Sequence, residues 1–499
     1  MMKKCTLTLL VLAMLTSPTA LFSCGQIDTP EKTTETLPAE TIAETVDDSL
    51  DENGYLKDDL PEDLDLAGKV FTVYVRGDNL DSEFDSELAG EVTSDALYYR
   101  NLTIEERLNV DLAYFANTSE NYWKDRTLYM DTVRSAVMAN DGSIDLVAGL
   151  SVLMPIMTGE GLFQNLYGDR IPYLDYNKPW WPATILEELP IQDRMYFVSG
   201  EASLGVIKGM MCFYFNQDIL TDLNLDNPYD LVEEGKWTLT KFNEMALTAY
   251  IDKNGNGKED PEDQFGFIIR DENNATNFVT SSGLRVAQRD ENGIPQMLLG
   301  TEPIINLSEK INAYMKQDGF ATRISTNDTY QTTFDDNQAL FVTGEFSNIE
   351  IYRDFDFTFG ILPYPKADES QKNYITTARS TYTCFGVPVS ADLTTCAAVL
   401  EALASESYRQ VTPAYYETTL KLKYTRDDVS ARMFDLIKNG VSYDFGVTYS
   451  NIMDLPTARL RECMSRDDFG SWATRWASME TKVNTMLSEF IDTVLSLEQ

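Results

Sequence analysis

Three observations predict an α/β protein built of layered, mostly parallel sheets. Short runs of β-branched and aromatic residues alternate with stretches of helical periodicity from residue 66 to the C-terminus. The chain is 499 residues long, enough for two or three domains rather than one. Apolar residues make up 43 % of it and aromatics 11 %, which is sufficient to build packed cores.

The elements follow in order. Val70 to Val75 (VFTVYV) reads as a strand covered on both faces, and Arg76-Gly77-Asp78 as the turn that ends it. In the next helix Leu97, Ile104 and Leu108 share a face, and Val110 to Phe115 (VDLAYF) is a second strand. Asp145 to Leu150 (DLVAGL) is a third, followed by an apolar segment and a Gly159-Glu160-Gly161 break. Further short strands are expected at 195–198, 213–215, 265–269, 340–342, 359–362 and 382–387. Ile304, Leu307, Ile311 and Tyr314 repeat at helical spacing. The clearest helix is the last, where Trp472, Trp476, Met479, Val483, Met486, Phe490, Val494 and Leu497 form one stripe. No internal repeat is evident.

Ahead of this body lie two segments of different character. Lys3 and Lys4 precede an apolar run, Leu7 to Leu15, of signal-peptide length and too short to span a bilayer. The run leads to Leu21-Phe22-Ser23-Cys24, which resembles a bacterial lipoprotein signal with Cys24 as the lipidated thiol. The alternative is an ordinary secretory signal with a chance cysteine. Lipidation at Cys24 would anchor the chain to the outer face of the cell membrane. Residues 25–65 then carry 14 Asp or Glu against Lys32 and Lys57, the composition of a solvated, self-repelling linker.

Charge and missing residue types exclude several function classes. With 80 Asp plus Glu against 40 Lys plus Arg the formal net charge is −40, so the surface repels nucleic acid. Net charge speaks to the surface, however, and not to a cleft. The chain has no histidine, which removes Ser-His-Asp triads, Cys-His pairs and His-ligated zinc. No G-x-x-x-x-G-K-[ST] motif occurs, so any ATP hydrolysis belongs to another subunit. Cys212, Cys384, Cys396 and Cys463 stand among apolar or small neighbours, and buried free thiols are expected, with pairing left open.

Several phrases in sequence resemble the extracellular solute-binding lipoproteins of bacterial ABC importers, in the class that includes maltose-binding protein. They are Glu201-Ala202-Ser203-Leu204, Phe213 to Asp218 (FYFNQD), Gly235-Lys236-Trp237-Thr238-Leu239, Phe334 to Glu345 (FDDNQALFVTGE), Phe359 to Lys366 (FGILPYPK), Tyr382 to Pro388, and Phe469-Gly470-Ser471-Trp472. The resemblance implies two α/β lobes joined by crossing strands, with ligand held in the cleft between them and the lobes closing by hinge motion. It assigns residues 66–205 with 384–440 to the first lobe and 206–383 with 441–499 to the second. It also implies a monomer that passes a solute, most plausibly a carbohydrate, to the transmembrane subunits of an ABC permease.

Ligands of open α/β sheets sit beyond the carboxyl ends of strands. That rule points to Arg76 and Asp78 after the first strand, to Ser151 after Leu150, and to Glu201, which also matches an acidic ligand residue of the class. Sugar rings stack on aromatic faces while planar polar groups bind their hydroxyls. The candidate platforms are Trp180 and Trp181 in a Pro-rich loop, Phe346, Tyr382, Phe469 and Trp472. For Trp180, Trp181 and Trp472 packing is the competing role. Trp237 and Trp123 read as packing or surface residues.

Residues 252–263 carry a further motif, D-x-N-x-N-G, in which Asp252, Asn254, Asn256, the Lys258 carbonyl, Asp260 and Asp263 occupy the ligand positions of a structural calcium loop. An Asx-rich turn without metal is the alternative. Two rival functions remain: a glycoside hydrolase working with two carboxylates, and a glycan-adhesion lipoprotein without a transport partner.

Overall fold

The computed structural model describes residues 49–119, 122–168, 171–322, 333–352, 354–416 and 428–497. Cys24, the signal segment and the first part of the acidic stretch lie outside the described residues.

Two mixed sheets organise the chain. The first contains β1 (Lys69–Tyr74), β2 (Val110–Phe115) and β3 (Leu146–Leu150), and a late strand β11 (Thr383–Gly386), in the order β11-β3-β1-β2. β1 pairs in parallel with β2 and β3, whereas β11 runs antiparallel to β3. Between them the chain forms β4 (Met211–Asn216), β5 (Phe265–Ile269), β6 (Ala287–Arg289), β7 (Pro295–Met297), β8 (Phe320–Thr322), β9 (Ala339–Glu345) and β10 (Phe359–Leu362). The second sheet has the order β10-β4-β9-β5-β8, and β6 and β7 form a separate hairpin. β9-β5-β8 are parallel, and β10-β4-β9 are antiparallel. The expectation of mostly parallel sheets is thus corrected to mixed ones: β4 and β11 are the strands entered from crossing segments, and each runs against its neighbours. Met195–Val198 is corrected as well, since the segment reaches β11 through an isolated bridge at Val198 and Phe385 and forms no strand.

The strands are where the apolar runs place them because a strand covered on both faces must be apolar throughout. Every residue of β3, β4 and β5 is buried. The core of the second sheet is aromatic, with Phe213 stacked on Phe267 at 5.3 Å and Trp237 against Phe341 at 5.4 Å. A Cβ on Gly266 would run into the Ala246 carbonyl, so glycine is what lets helix Leu239–Ala249 lie directly on β5.

The chain passes between the sheets on segments that lie side by side. Met210 bridges Ala378, Met211 N donates to Thr377 O at 3.0 Å, and Arg379 N donates to Gly209 O at 2.7 Å. A third passage joins them where Thr376 bridges Val441. Helix Leu393–Glu406 packs on α1 (Val92–Leu108), and helix Asp428–Asn439 packs on β10 of the second sheet. The final helix Trp472–Ser496 starts with Trp472 bonded to Leu299 O and ends with Phe490 over Gly159.

The acidic stretch is not solvated throughout. The Asp58 side chain is fully buried, with Arg107 at 2.5 Å, Ser405 at 2.5 Å and Arg409 at 3.5 Å, and Leu60 is buried beside it. Burial opposes ionisation of Asp58, yet the Arg107 guanidinium and the Ser405 hydroxyl hold its carboxyl below the usual range. Tyr55 meets Tyr408 edge-on at 5.7 Å. Asp58→Ala should therefore cost about 2 kcal/mol, since the partly exposed Arg107 can rehydrate, and should speed proteolytic cleavage at residues 49–57, measured by denaturant melts and limited digestion.

Candidate functional site

The carboxyl ends of parallel strands from both sheets converge on one cleft of about 630 Å3. From the first sheet it receives Val152 and Leu153 after β3, and Trp123 and Arg126 from the first turns of α2 (Tyr122–Ala139), which follows β2. From the second come Asn273 and Thr280 beyond β5, and the crossing segment Thr377 to Thr381 forms one wall. Asn451 and Arg461 close it from the C-terminal helices. The loops after β1 and β2 meet closely: Gly77 N donates to Thr118 Oγ1 at 2.9 Å, and a Cβ on Gly77 would collide with the Thr118 carbonyl. That contact fixes the approach to α2 and hence to Trp123, which is 48 % exposed.

Arg379, on the crossing segment, links both β5 and β9. Its guanidinium lies 3.3 Å from Asp271 and 3.4 Å from Glu345. Burial raises the Glu345 carboxyl to about 7, against the pull of Arg379. The sign follows directly. A carboxyl that binds its proton more tightly folded than unfolded stabilises the fold below its ordinary pKa, and that stabilisation is lost as pH rises to the folded value. The stability difference between the wild type and Glu345→Gln should thus fall by on the order of 3 kcal/mol between pH 4.5 and 7, read from denaturant melts at each pH.

Two polar atoms of cleft-lining residues, Thr280 Oγ1 and Arg379 Nε, are buried without a hydrogen bond; outside the lining the same holds for the side-chain NH2 groups of Asn274 and Asn277 and the hydroxyl of Thr376. The amides are oriented by their oxygens, which accept from Asp271 N and Thr377 N, so an NH2 group is left over in each.

The residues expected from sequence divide sharply. Trp180 and Trp181 are in the core beneath helix Leu393–Glu406, and their indole N–H groups donate to the two oxygens of Glu401 at 3.0 and 2.9 Å. Trp472 is 1 % exposed with its N–H on Leu299 O at 2.7 Å. None of the three offers a ring face to a ligand, and their assignment as stacking platforms is corrected to packing. Phe346 is buried edge-on against Phe434 at 5.2 Å, and Tyr382 against Tyr443 at 5.5 Å. Phe469 is exposed on the surface and is not part of the cleft lining. Glu201 lies 4.0 Å from Lys438 and beside Thr412, away from the cleft lining, and burial raises its carboxyl.

Arg76 and Ser151 brace the cleft from behind: Arg76 donates to Thr381 O at 3.4 Å, and Ser151 to Ser380 O at 2.8 Å. Asp78 pairs with Arg76 at 3.3 Å, and loss of water around it raises its carboxyl. Arg76, Asp78 and Ser151 thus lie outside the cleft lining, whereas Trp123 and Arg126, in the helix that follows β2, are part of it. The four cysteines are free and buried.

No residue of the 252–263 loop lines the cleft. Asp252 accepts from Gly255 N at 2.7 Å and Gly257 N at 2.8 Å, Asn256 Oδ1 from Lys258 N at 2.7 Å, and Asp263 Oδ2 from Asp260 N at 3.0 Å. Among the described residues no three His, Cys, Asp or Glu side chains are gathered as a metal centre.

Comparison with known proteins places this geometry. No family model matches the chain, and no curated protein matches it in sequence. Solved structures do. An ABC substrate-binding protein from Listeria monocytogenes, determined with cycloalternan, aligns over 84 % of this chain and 99 % of its own at 11 % identity and a TM-score of 0.54. The chain has the fold of the extracellular solute-binding proteins. A family 1 extracellular solute-binding protein from Bifidobacterium longum subsp. infantis aligns over 84 % and 100 % at 13 % identity, TM-score 0.53. The cyclic α-maltosyl-1,6-maltose binding protein from Arthrobacter globiformis aligns over 84 % and 98 % at 13 % identity, TM-score 0.52. The two mixed sheets are linked by segments 209–211, 376–381 and 440–442, which lie side by side.

Proposed function

We propose that this protein is the saccharide-binding component of an ABC importer, tethered through Cys24 to the outer face of the cell membrane, and that it delivers its ligand to the transmembrane permease subunits. The observation that carries the reading is the cleft itself, set at the carboxyl ends of strands from two sheets that are linked by adjacent crossing segments. Its exposed Trp123 suits the C–H face of a sugar ring, and its arginines, asparagines and threonines suit hydroxyls. Of the structures with the same fold, one was determined with cycloalternan and another is a cyclic α-maltosyl-1,6-maltose binding protein. A ligand touching both walls stabilises the closed form by its extra contacts, and the permease reads that form. Among the described residues no helix is long and apolar enough to cross a membrane; a lipid at Cys24 would supply an attachment.

The hydrolase reading is weaker on a specific count. Two carboxyl groups must flank the scissile bond, and no Asp or Glu is among the described residues lining the cleft. A thermal-shift screen of mono- and oligosaccharides with X-ray scattering tests the proposal. A bound ligand should raise the melting temperature and reduce the radius of gyration. Unchanged melting and scattering across the screen would overturn it, and release of shortened sugars would favour the hydrolase.

We propose further that residues 252–263 hold a structural calcium ion through Asp252, Asn254, Asn256, the Lys258 carbonyl, Asp260 and Asp263. Calcium should raise the melting temperature relative to chelator, and Asp252→Ala should abolish the difference; equal melting in both conditions would refute the site.

A further inference from the structure

The residues lining the cleft sort by origin. The crossing segment and the region beyond β5 give it mainly hydroxyls and amides, from Asn273, Thr276, Thr280, Thr377, Ser380 and Thr381. The end of β3, α2 and the segments after residue 445 give it aliphatic carbon beside Trp123, from Met130, Val152, Leu153, Ile156, Val447 and Leu455. Asn451 Nδ2 donates to the Val152 carbonyl at 3.1 Å and so draws the segment after residue 445 against the end of β3. On that side the hydroxyls of Ser450 and Thr457 bond each other at 2.7 Å, and Arg126 and Arg461 donate to the Trp123 carbonyl and the Thr276 hydroxyl.

Leu455 is the most exposed of the six aliphatic residues, at 43 %. Its backbone is left-handed, φ 57° and ψ 51°, directly after Asp454 at φ 64°. Leucine meets a steric cost there that glycine avoids. It also occupies the N-cap of helix Pro456–Met464, where a polar side chain would satisfy a backbone N–H and leucine satisfies none. Solvent, backbone and cap each disfavour leucine at this position, and such outliers gather where a ligand is held. An unsubstituted sugar carries hydroxyls around its edge, and against aliphatic carbon they lose water without a replacement bond. A methyl group gains there, by about fourfold in affinity when one is buried.

We infer that the saccharide taken by this cleft bears methyl groups, as N-acetylated and 6-deoxy sugars do, and that Leu455 is the residue that selects them. The inference rests on the saccharide-binding reading and narrows it.

Titration calorimetry of the purified protein with maltotetraose, tetra-N-acetylchitotetraose and a rhamnose tetrasaccharide tests it. At least one methyl-bearing probe should bind about fivefold or more tightly than maltotetraose, and which of the two does so identifies the source of the methyl. Leu455→Gly should erase that preference without lowering the melting temperature, because glycine takes the left-handed backbone freely. Leu455→Met, which keeps an apolar side chain, should retain the preference. A smaller preference, or maltotetraose bound best, would overturn the inference and leave the saccharide reading standing. A preference that survives in Leu455→Gly, or an equal loss for every probe with a lower melting temperature, would overturn the role of Leu455. Failure of all three probes to bind would overturn both readings.

Discussion

Trp123→Ala is expected to weaken saccharide binding about thirtyfold while leaving the fold intact. The indole is half exposed on the first turn of α2, at the one aromatic position of the cleft lining among the described residues. Removing a stacking Trp from a binding hot spot costs about 2 kcal/mol, which is the factor stated. Truncating a side chain that is 48 % exposed deletes little core packing, so the melting temperature should move by no more than a degree or two. Trp180→Ala should do the reverse. That ring is fully buried, and its loss should lower stability by several kcal/mol while the molecules that remain folded bind normally. Calorimetry and thermal melts on the two variants separate the roles, and a Trp180→Ala protein that folds fully but fails to bind would contradict the assignment.

Glu401→Ala should lower the unfolding free energy by about 3 to 5 kcal/mol. The carboxyl group accepts from both Trp180 and Trp181, and its removal leaves two buried indole N–H groups unpaired at about 1 to 3 kcal/mol each. Glu401→Gln keeps one acceptor and should lose about half as much. Burial raises the Glu401 carboxyl to about 8, against the two indole hydrogen bonds. Because the folded state binds that proton more tightly than the unfolded state, wild-type stability drains away as pH rises toward 8. The deficit of the alanine variant should accordingly be larger at pH 5 than at pH 8. Denaturant melts at the two pH values measure it, and indole emission should shift to the red as the pair loosens.

How much could be read before the structure varied with the range of the interaction. The strands at 265–269 and 359–362 were legible because continuous apolar runs are a local consequence of burial on both faces, whereas in the edge strand at 110–115 only Val110 is buried. The stripe of the final helix was legible for the same reason, with Ser471 capping it through Thr474 N at 3.3 Å. Met195–Val198 has the same apolar character, yet a strand exists only when neighbours supply its hydrogen bonds, and here a single bridge does. Asp58 looked like one more solvated acid of a linker. Its arginine and serine partners stand 49 to 351 residues further on, and nothing local announces them.

The tryptophans show the boundary most clearly. The doubled Trp180-Trp181 and isolated Trp123 carry the same stacking chemistry. Their fates were set by Glu401, more than 200 residues downstream, and by the close meeting of two loops at Gly77 and Thr118. By itself the sequence determined most of the α/β elements, the net acidity and the absence of histidine chemistry. Only the tertiary structure decided which aromatics are buried and which arginines line the cleft, with no carboxylate beside them among the described lining residues. Secondary structure answers to periodicity within a dozen residues, whereas the lining of a cleft depends on long-range contacts among segments that composition treats alike.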